Sequence, residues 1–143
     1  MGKINNTILW LDDFRNPFTK QWFPKILPQY IDRMDDIVWV KSYDEFIEWI
    51  TENGMPFFIS FDHDLANEHY APEKYYVDGT YDTWAKTQDF TEKTGMDCAR
   101  WLVDYCMDTE TNMCKWFSHT ANDAGRKNID GLLISFIKHI NYK

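Results

Sequence analysis

The chain has 143 residues, a net charge of −8 and 44% hydrophobic residues, enough for one soluble domain with a real core. The acidic balance excludes unspecific nucleic-acid binding, which needs clustered Lys and Arg to displace phosphate counterions. No apolar run reaches the ~18 residues of a membrane span, the opening Met1 to Asn6 does not read as a signal peptide, and Cys98, Cys106 and Cys114 form no CxxC pair, so a reducing cytoplasm is the expected compartment.

Thr7 to Asp12 reads as the first strand, a short apolar run that stops at Asp12 and Asp13. Asp13 to Arg33 follows with apolar residues at mixed helical spacing, interrupted by Pro24 and Pro28, which predicts a broken or short helix. Asp36 to Lys41 is the second strand. Ser42-Tyr43-Asp44-Glu45 opens a helix with a capping box, and Asn53-Gly54 closes it. Phe57 to Asp62 is the third strand, ending in Asp62-His63-Asp64. Residues 66–93 lack sustained periodicity and carry Tyr70, Tyr75, Tyr76, Tyr81, Trp84 and Phe90, which predicts a lid or binding element. Thr94-Gly95-Met96-Asp97 is a second capping box, opening a helix through Cys106. Lys115 to His119 is the fourth strand, and Asp123 to Ile140 the last helix.

No repeat or linker divides the chain, so residues 1–143 read as a single domain with an aromatic-rich insert at about 66–93. The order βαβαβαβα predicts an α/β fold, a flavodoxin-like three-layer sandwich on a mostly parallel sheet of four to five strands. In such sheets ligands bind beyond the carboxyl ends of the strands. Strand one beside strand three would bring Asp12 and Asp13 next to Asp62 and Asp64, a set of oxygen donors suited to Mg²⁺ or Mn²⁺. The bland reading is that Asp12 or Asp64 only caps a turn.

His63 and His119 stand at those tips and could exchange protons with a phosphodiester. Strand alternation turns His63 away from Asp62 and Asp64. A lone histidine at a strand end is more often structural, and His69 and His139 take that reading. The stretch from Ser118 to Asn128 enters the last helix. Its start attracts anions, Gly125 would let the backbone approach one closely, and Arg126 could fork onto phosphate oxygens. Asn122 is either the N-cap or a ligand contact, and Thr120 either a hydroxyl donor or a solvated strand end.

Four motifs then carry a family likeness: Trp10-Leu11-Asp12-Asp13-Phe14-Arg15-Asn16-Pro17, Ser60-Phe61-Asp62-His63-Asp64-Leu65, Thr94-Gly95-Met96-Asp97, and His119 through Ile129. In this order the chain resembles the cyclic-phosphate-processing receiver-like domain. The resemblance implies a receiver fold and action on cyclic phosphates or cyclic nucleotides. It places Asp12, Asp13 and Asp62 at the receiver's metal and phosphoacceptor positions, so that Asp62 is a metal ligand or a nucleophile. Thr120 stands where the family has serine, and no fifth strand with a receiver lysine is visible. The expected activity is therefore a phosphoesterase-like hydrolysis of a cyclic phosphate, with His119, His63 and Asp62 catalytic. Arg126, Asn122, Gly125, Thr120 and Arg15 would bind substrate, and Asp12, Asp13, Asp62 and Asp64 would hold a divalent metal. The alternatives are a cyclic-nucleotide binder that sequesters its ligand and a receiver-like interaction module. The partner in the first two readings is a small molecule.

Overall fold

The computed structural model describes residues 5–88 and 93–141. Strands β1 (Ile8–Leu11), β2 (Ile37–Val40), β3 (Phe58–Phe61) and β4 (Lys115–Ser118) form one parallel sheet in the order β2-β1-β3-β4. β1 and β3 are therefore neighbours, with Leu11 opposite Phe61, as the placement of the acidic tips requires. Among the described residues the sheet has four strands, the lower of the two expected counts.

The two faces are covered unequally. Leu9, Leu11, Ile59 and Phe61 pack against α2 (Tyr43–Asn53), α5 (Gly95–Thr109) and α6 (Asp123–Asn141), which supply Phe46, Ile50, Leu102, Ile129 and Leu133. The opposite face, with Ile8, Trp10 and Phe58, is covered by the four-residue α1 (Phe23–Ile26) and a kinked 3-10 helix over Pro28–Asp36, through Phe23 and Leu27. Pro24 and Pro28 each stand in the first turn of their helix, where the missing N–H costs nothing. Phe18 and Ile31, two of the apolar residues of this stretch, are exposed.

Both caps form. Ser42 accepts from Glu45 N, but Glu45 returns to Lys41 N rather than to Ser42. At α5 the box is reciprocal, with Thr94 accepting from Asp97 N and Asp97 accepting from Thr94 N. No described helix is long and apolar enough to cross a membrane, and the three cysteines are free and buried.

The insert is more ordered than its sequence pattern suggests. It holds a 3-10 turn at Asn67–His69 and two short helices, α3 (Glu73–Val77) and α4 (Tyr81–Ala85). Tyr81 anchors it: the ring is buried, and its hydroxyl lies 3.0 Å from Asp64 Oδ1 and 2.8 Å from His69 O. His69 is buried as well, and its Nδ1 accepts from Leu65 N at 3.0 Å. Phe90 lies outside the described residues.

Candidate active site

β1 delivers Asp12 and Asp13, and β3 delivers Asp62, to one point beyond the sheet. One carboxylate oxygen from each lies within 4.8 Å of the others, a cluster that can hold a metal ion. Repulsion on this scale persists only if something holds the charges. Asp12 is provided for: its oxygens accept from Phe14 N (3.0 Å), Arg15 N (2.9 Å), an Arg15 guanidinium nitrogen (3.2 Å) and His119 Nε2 (3.0 Å). Burial opposes its ionisation, but the His119 bond and the two backbone N–H groups hold it below the ordinary carboxylate range.

Asp62 is the opposite case. It is buried, and neither carboxylate oxygen has a donor in normal hydrogen-bond geometry; Arg15 comes only to 3.5 Å, and the nearby Thr120 hydroxyl gives only the weakest help. Burial first, then the Asp12 charge, pushes it up to about 8 against the pull of Arg15. Asp13 is raised by the same two causes, and its Oδ1 is also buried without a donor. Buried polar atoms are nearly always satisfied. Orphaned acceptors on Asp13 and Asp62 are what a divalent cation would fill, so the residues present fit such an ion.

Arg15 is the cation of the site. Burial works against its charge, but Asp62 and Asp12 outweigh it and raise its affinity for the proton. Its Nε is buried and donates to nothing. The loop carrying Arg15 is fastened by two indoles: Trp10 Nε1 donates to Arg15 O at 2.9 Å and Trp39 Nε1 to Asp12 O at 2.7 Å. A cavity of about 280 Å³ opens here, lined by Arg15, Asp62, Asp64, Tyr70, Tyr76 and Thr120 with Ala121 and Asn122.

The fold brings only some of the sequence-selected residues to that cavity. His119 does not reach it. Its side chain is fully enclosed, stacked on Trp10 with centroids 3.9 Å apart and planes at 8°. Nδ1 meets Ser60 Oγ at 2.7 Å and Nε2 meets Asp12 at 3.0 Å. Burial lowers its proton affinity, so the ring is neutral, donating to Asp12 from Nε2 and accepting from Ser60. In this position His119 contacts Asp12 and Ser60 and does not face the Asp62 cavity, where direct proton exchange with a ligand was expected of it.

His63 lines a separate cavity with Tyr81, Thr94 and Arg100, but it is not turned away from Asp64 as alternation predicts, because β3 ends at Phe61 and its Nδ1 lies 2.8 Å from Asp64 Oδ1. Asp64 leaves the metal set because its carboxylate is engaged elsewhere, by His63 Nδ1 at 2.8 Å, Tyr81 at 3.0 Å and Asn122 at 3.3 Å. Asn122 settles as both cap and tether: its Oδ1 accepts from Gly125 N at 3.0 Å while its amide donates to Asp64. Gly125 admits a side chain of the protein, not a ligand. A Cβ there would lie 2.4 Å from the His63 ring. Thr120 accepts from Asn122 N at 3.1 Å and stays on the cavity wall. Arg126 pairs with Asp123 and lines a different cavity, beside Phe117 and Ile26.

A parallel sheet ordered β2-β1-β3-β4, with an acid pair after β1 and Asp62 directly after β3, is a receiver-like arrangement. Over residues 7–135 the sequence matches the family of cyclic-phosphate processing receiver domains. The chain belongs to that family. No curated protein and no solved structure matches it. Within this cyclic-phosphate processing receiver domain, sequence reasoning gave three structural contributors no part in the site. Trp10 supplies the platform under His119, Tyr81 ties the insert to Asp64, and Gly95 packs on the Asp62 backbone. Each left only a trace: Trp10 opens a motif, Tyr81 is one of the insert's aromatics, and Gly95 stands inside a capping box where a stronger helix former would serve better.

Proposed function

We propose that this domain is a phosphoesterase that opens a cyclic phosphate, a cyclic nucleotide in particular, at the Asp62 cavity. The supporting observation is a pair of opposite vacancies at one spot. Asp13 and Asp62 present buried acceptors without donors, and Arg15 Nε is a buried donor without an acceptor. A divalent ion would give the acceptors a partner, and a phosphate oxygen would give one to Arg15 Nε.

In this reading Asp12, Asp13 and Asp62 would hold Mg²⁺ or Mn²⁺, which would supply Lewis-acid stabilisation of the charge on the phosphoryl group. Arg15 grips a phosphate oxygen. Thr120 and Tyr70, both on the cavity wall, orient the ring. Asp64 takes the proton of the attacking water: its Oδ2 receives only a 3.4 Å contact from Asn122, and His63 supports the carboxylate from behind. The water oxygen forms the new P–O bond, one ester P–O bond of the ring breaks, and the freed oxygen takes a proton from solvent. His119 holds Asp12 in place.

Turnover of a panel of cyclic mono- and oligonucleotides and terminal cyclic phosphates, with Mg²⁺ or Mn²⁺, tests the proposal. Arg15→Ala should weaken ligand binding at least about tenfold, because it removes a charge-assisted contact made in ground and transition states alike. Tight binding with intact ligand would instead favour sequestration, a reading supported by the absence of both imidazoles from the cavity wall. Labelling of Asp62 by acetyl phosphate without either would favour a receiver-like module.

His119 makes a separate forecast. His119→Phe keeps the stack on Trp10 but strips Asp12 of a donor, and should lower divalent-ion affinity by about 10–100-fold. His119→Gln, which keeps an N–H near Asp12, should recover part of it. Equal affinities for Mn²⁺ in all three proteins, measured by titration calorimetry, would remove His119 from any orienting part.

A further inference from the structure

A second cavity, about 260 Å³, adjoins the one that holds Asp62 and shares Tyr76 and Asn122 with it. It lies between the insert and the first turns of α6. One wall is aromatic, made by Tyr75, Tyr76 and Tyr81; Tyr76 and Tyr81 are stacked at 5.6 Å and 22°. At the rim stands Asp82, whose two carboxylate oxygens each receive Asn128 Nδ2 at 3.2 Å. A single nitrogen equidistant from both oxygens marks the fork of the Asp82 carboxylate, and Asn128 is exposed, so two parallel donors of a ligand can take its place there.

We infer that this second cavity takes the base of a guanine nucleotide whose cyclic phosphate occupies the Asp62 cavity. The inference rests on the cyclic-phosphate reading and deepens it by naming the nucleoside. Protein sites for unpaired bases combine an aromatic wall for stacking with polar groups on the Watson–Crick edge. Guanine presents two parallel donors on that edge, N1–H and N2–H, which match the two acceptors of an ionised carboxylate. Adenine places the N1 lone pair there, against the Asp82 charge. An acceptor-only group therefore selects guanine, and the selection includes rejection of adenine as well as attraction of guanine.

The two cavities together fall in the range of small-molecule sites, about 300–1,000 Å³. Neither alone suits a whole nucleotide. Tyr81 links them physically, since its ring walls the second cavity while its hydroxyl holds Asp64 in the first.

The test is titration calorimetry with guanosine and adenosine, each as the 2′,3′- and the 3′,5′-cyclic phosphate, in the presence of Mg²⁺. Wild type should bind a guanosine form about ten- to a hundredfold more tightly than its adenosine counterpart, the discrimination of one bidentate pair. Asp82→Asn, an exposed and nearly isosteric change, should erase that preference and leave adenosine binding the same or better. Equal binding of both bases, unaltered by Asp82→Asn, overturns the base site while leaving the cyclic-phosphate reading standing. A guanosine preference that survives in Asp82→Asn overturns it too. Failure of all four ligands, in a protein that still binds Mg²⁺, overturns both.

Discussion

In the absence of divalent ions, Asp62→Asn should be more stable than the wild type. The folded protein holds the Asp62 carboxyl at about 8 where its ordinary value is 3.8. Below about pH 4 both folded and unfolded chains carry the proton, and the substitution should be nearly neutral. As pH rises toward 8, the unfolded chain releases the proton and the folded chain keeps it, so wild-type stability falls. Above that value the folded chain carries the full cost of a buried charge without donors. The gap in favour of Asn should therefore open with pH, to a few kcal/mol. Urea unfolding with chelator at about pH 4.5 and about pH 8.5 measures it. Mg²⁺ should then close the gap from one side, stabilising wild type and not the variant. A wild type that matches Asp62→Asn at the higher pH in chelator would show that Asp62 is not under strain, and would remove the main argument for an ion there.

The second large effect concerns a position with no polar atom in its side chain. A Cβ on Gly95 would sit 1.9 Å from the Asp62 carbonyl oxygen and 2.9 Å from the His63 Cα. Backbone cannot swing aside as a flexible side chain can, so Gly95→Ala must push α5 off the tip of β3 and break the 2.7 Å bond from Gly95 N to His63 O. We expect a loss of about 3 kcal/mol, the upper end for overpacking, together with loss of divalent-ion binding. Gly131→Ala is the control. It lies in α6 with nothing within 4 Å of its Cβ, and there alanine should stabilise by up to about 1 kcal/mol. If the two variants unfold alike, the close approach at Gly95 is not what fixes Asp62.

The fold was legible because its signals are local. Each strand is an apolar run cut off by polar residues, and each long helix announces itself with a cap. The acidic cluster was legible for the same reason, since parallel pairing of β1 with β3 follows from strand order. What stayed hidden depends on contacts across long stretches of chain. His119 and Asp12 are 107 residues apart, and His119 and Ser60 are 59 apart. Nothing in the sequence around His119 distinguishes a histidine facing a ligand from one sealed between two partners. Asp64 misled in the same way. It sits two residues after Asp62 and is equally acidic, but Tyr81 and Asn122 claim its carboxylate. Arg15 was visible only through its motif, and Arg126, the more conspicuous cation at a helix start, is paired within its own turn.

The thin layer over Ile8, Trp10 and Phe58 gives the aromatic content a reason. A full helix on that face would bury aliphatic side chains along its whole length, and here one short helix and a kinked 3-10 segment do the covering. Rings make up the missing breadth. Trp22, Phe23, Tyr30 and Phe57 gather around Trp10 and Phe58, with Tyr30 edge-on to Phe58 at 5.1 Å. That packing ends at Trp10, whose other neighbour is His119. The thinly covered face thus reaches the acidic cluster through one ring, since Trp10 stacks on His119 and His119 bonds Asp12.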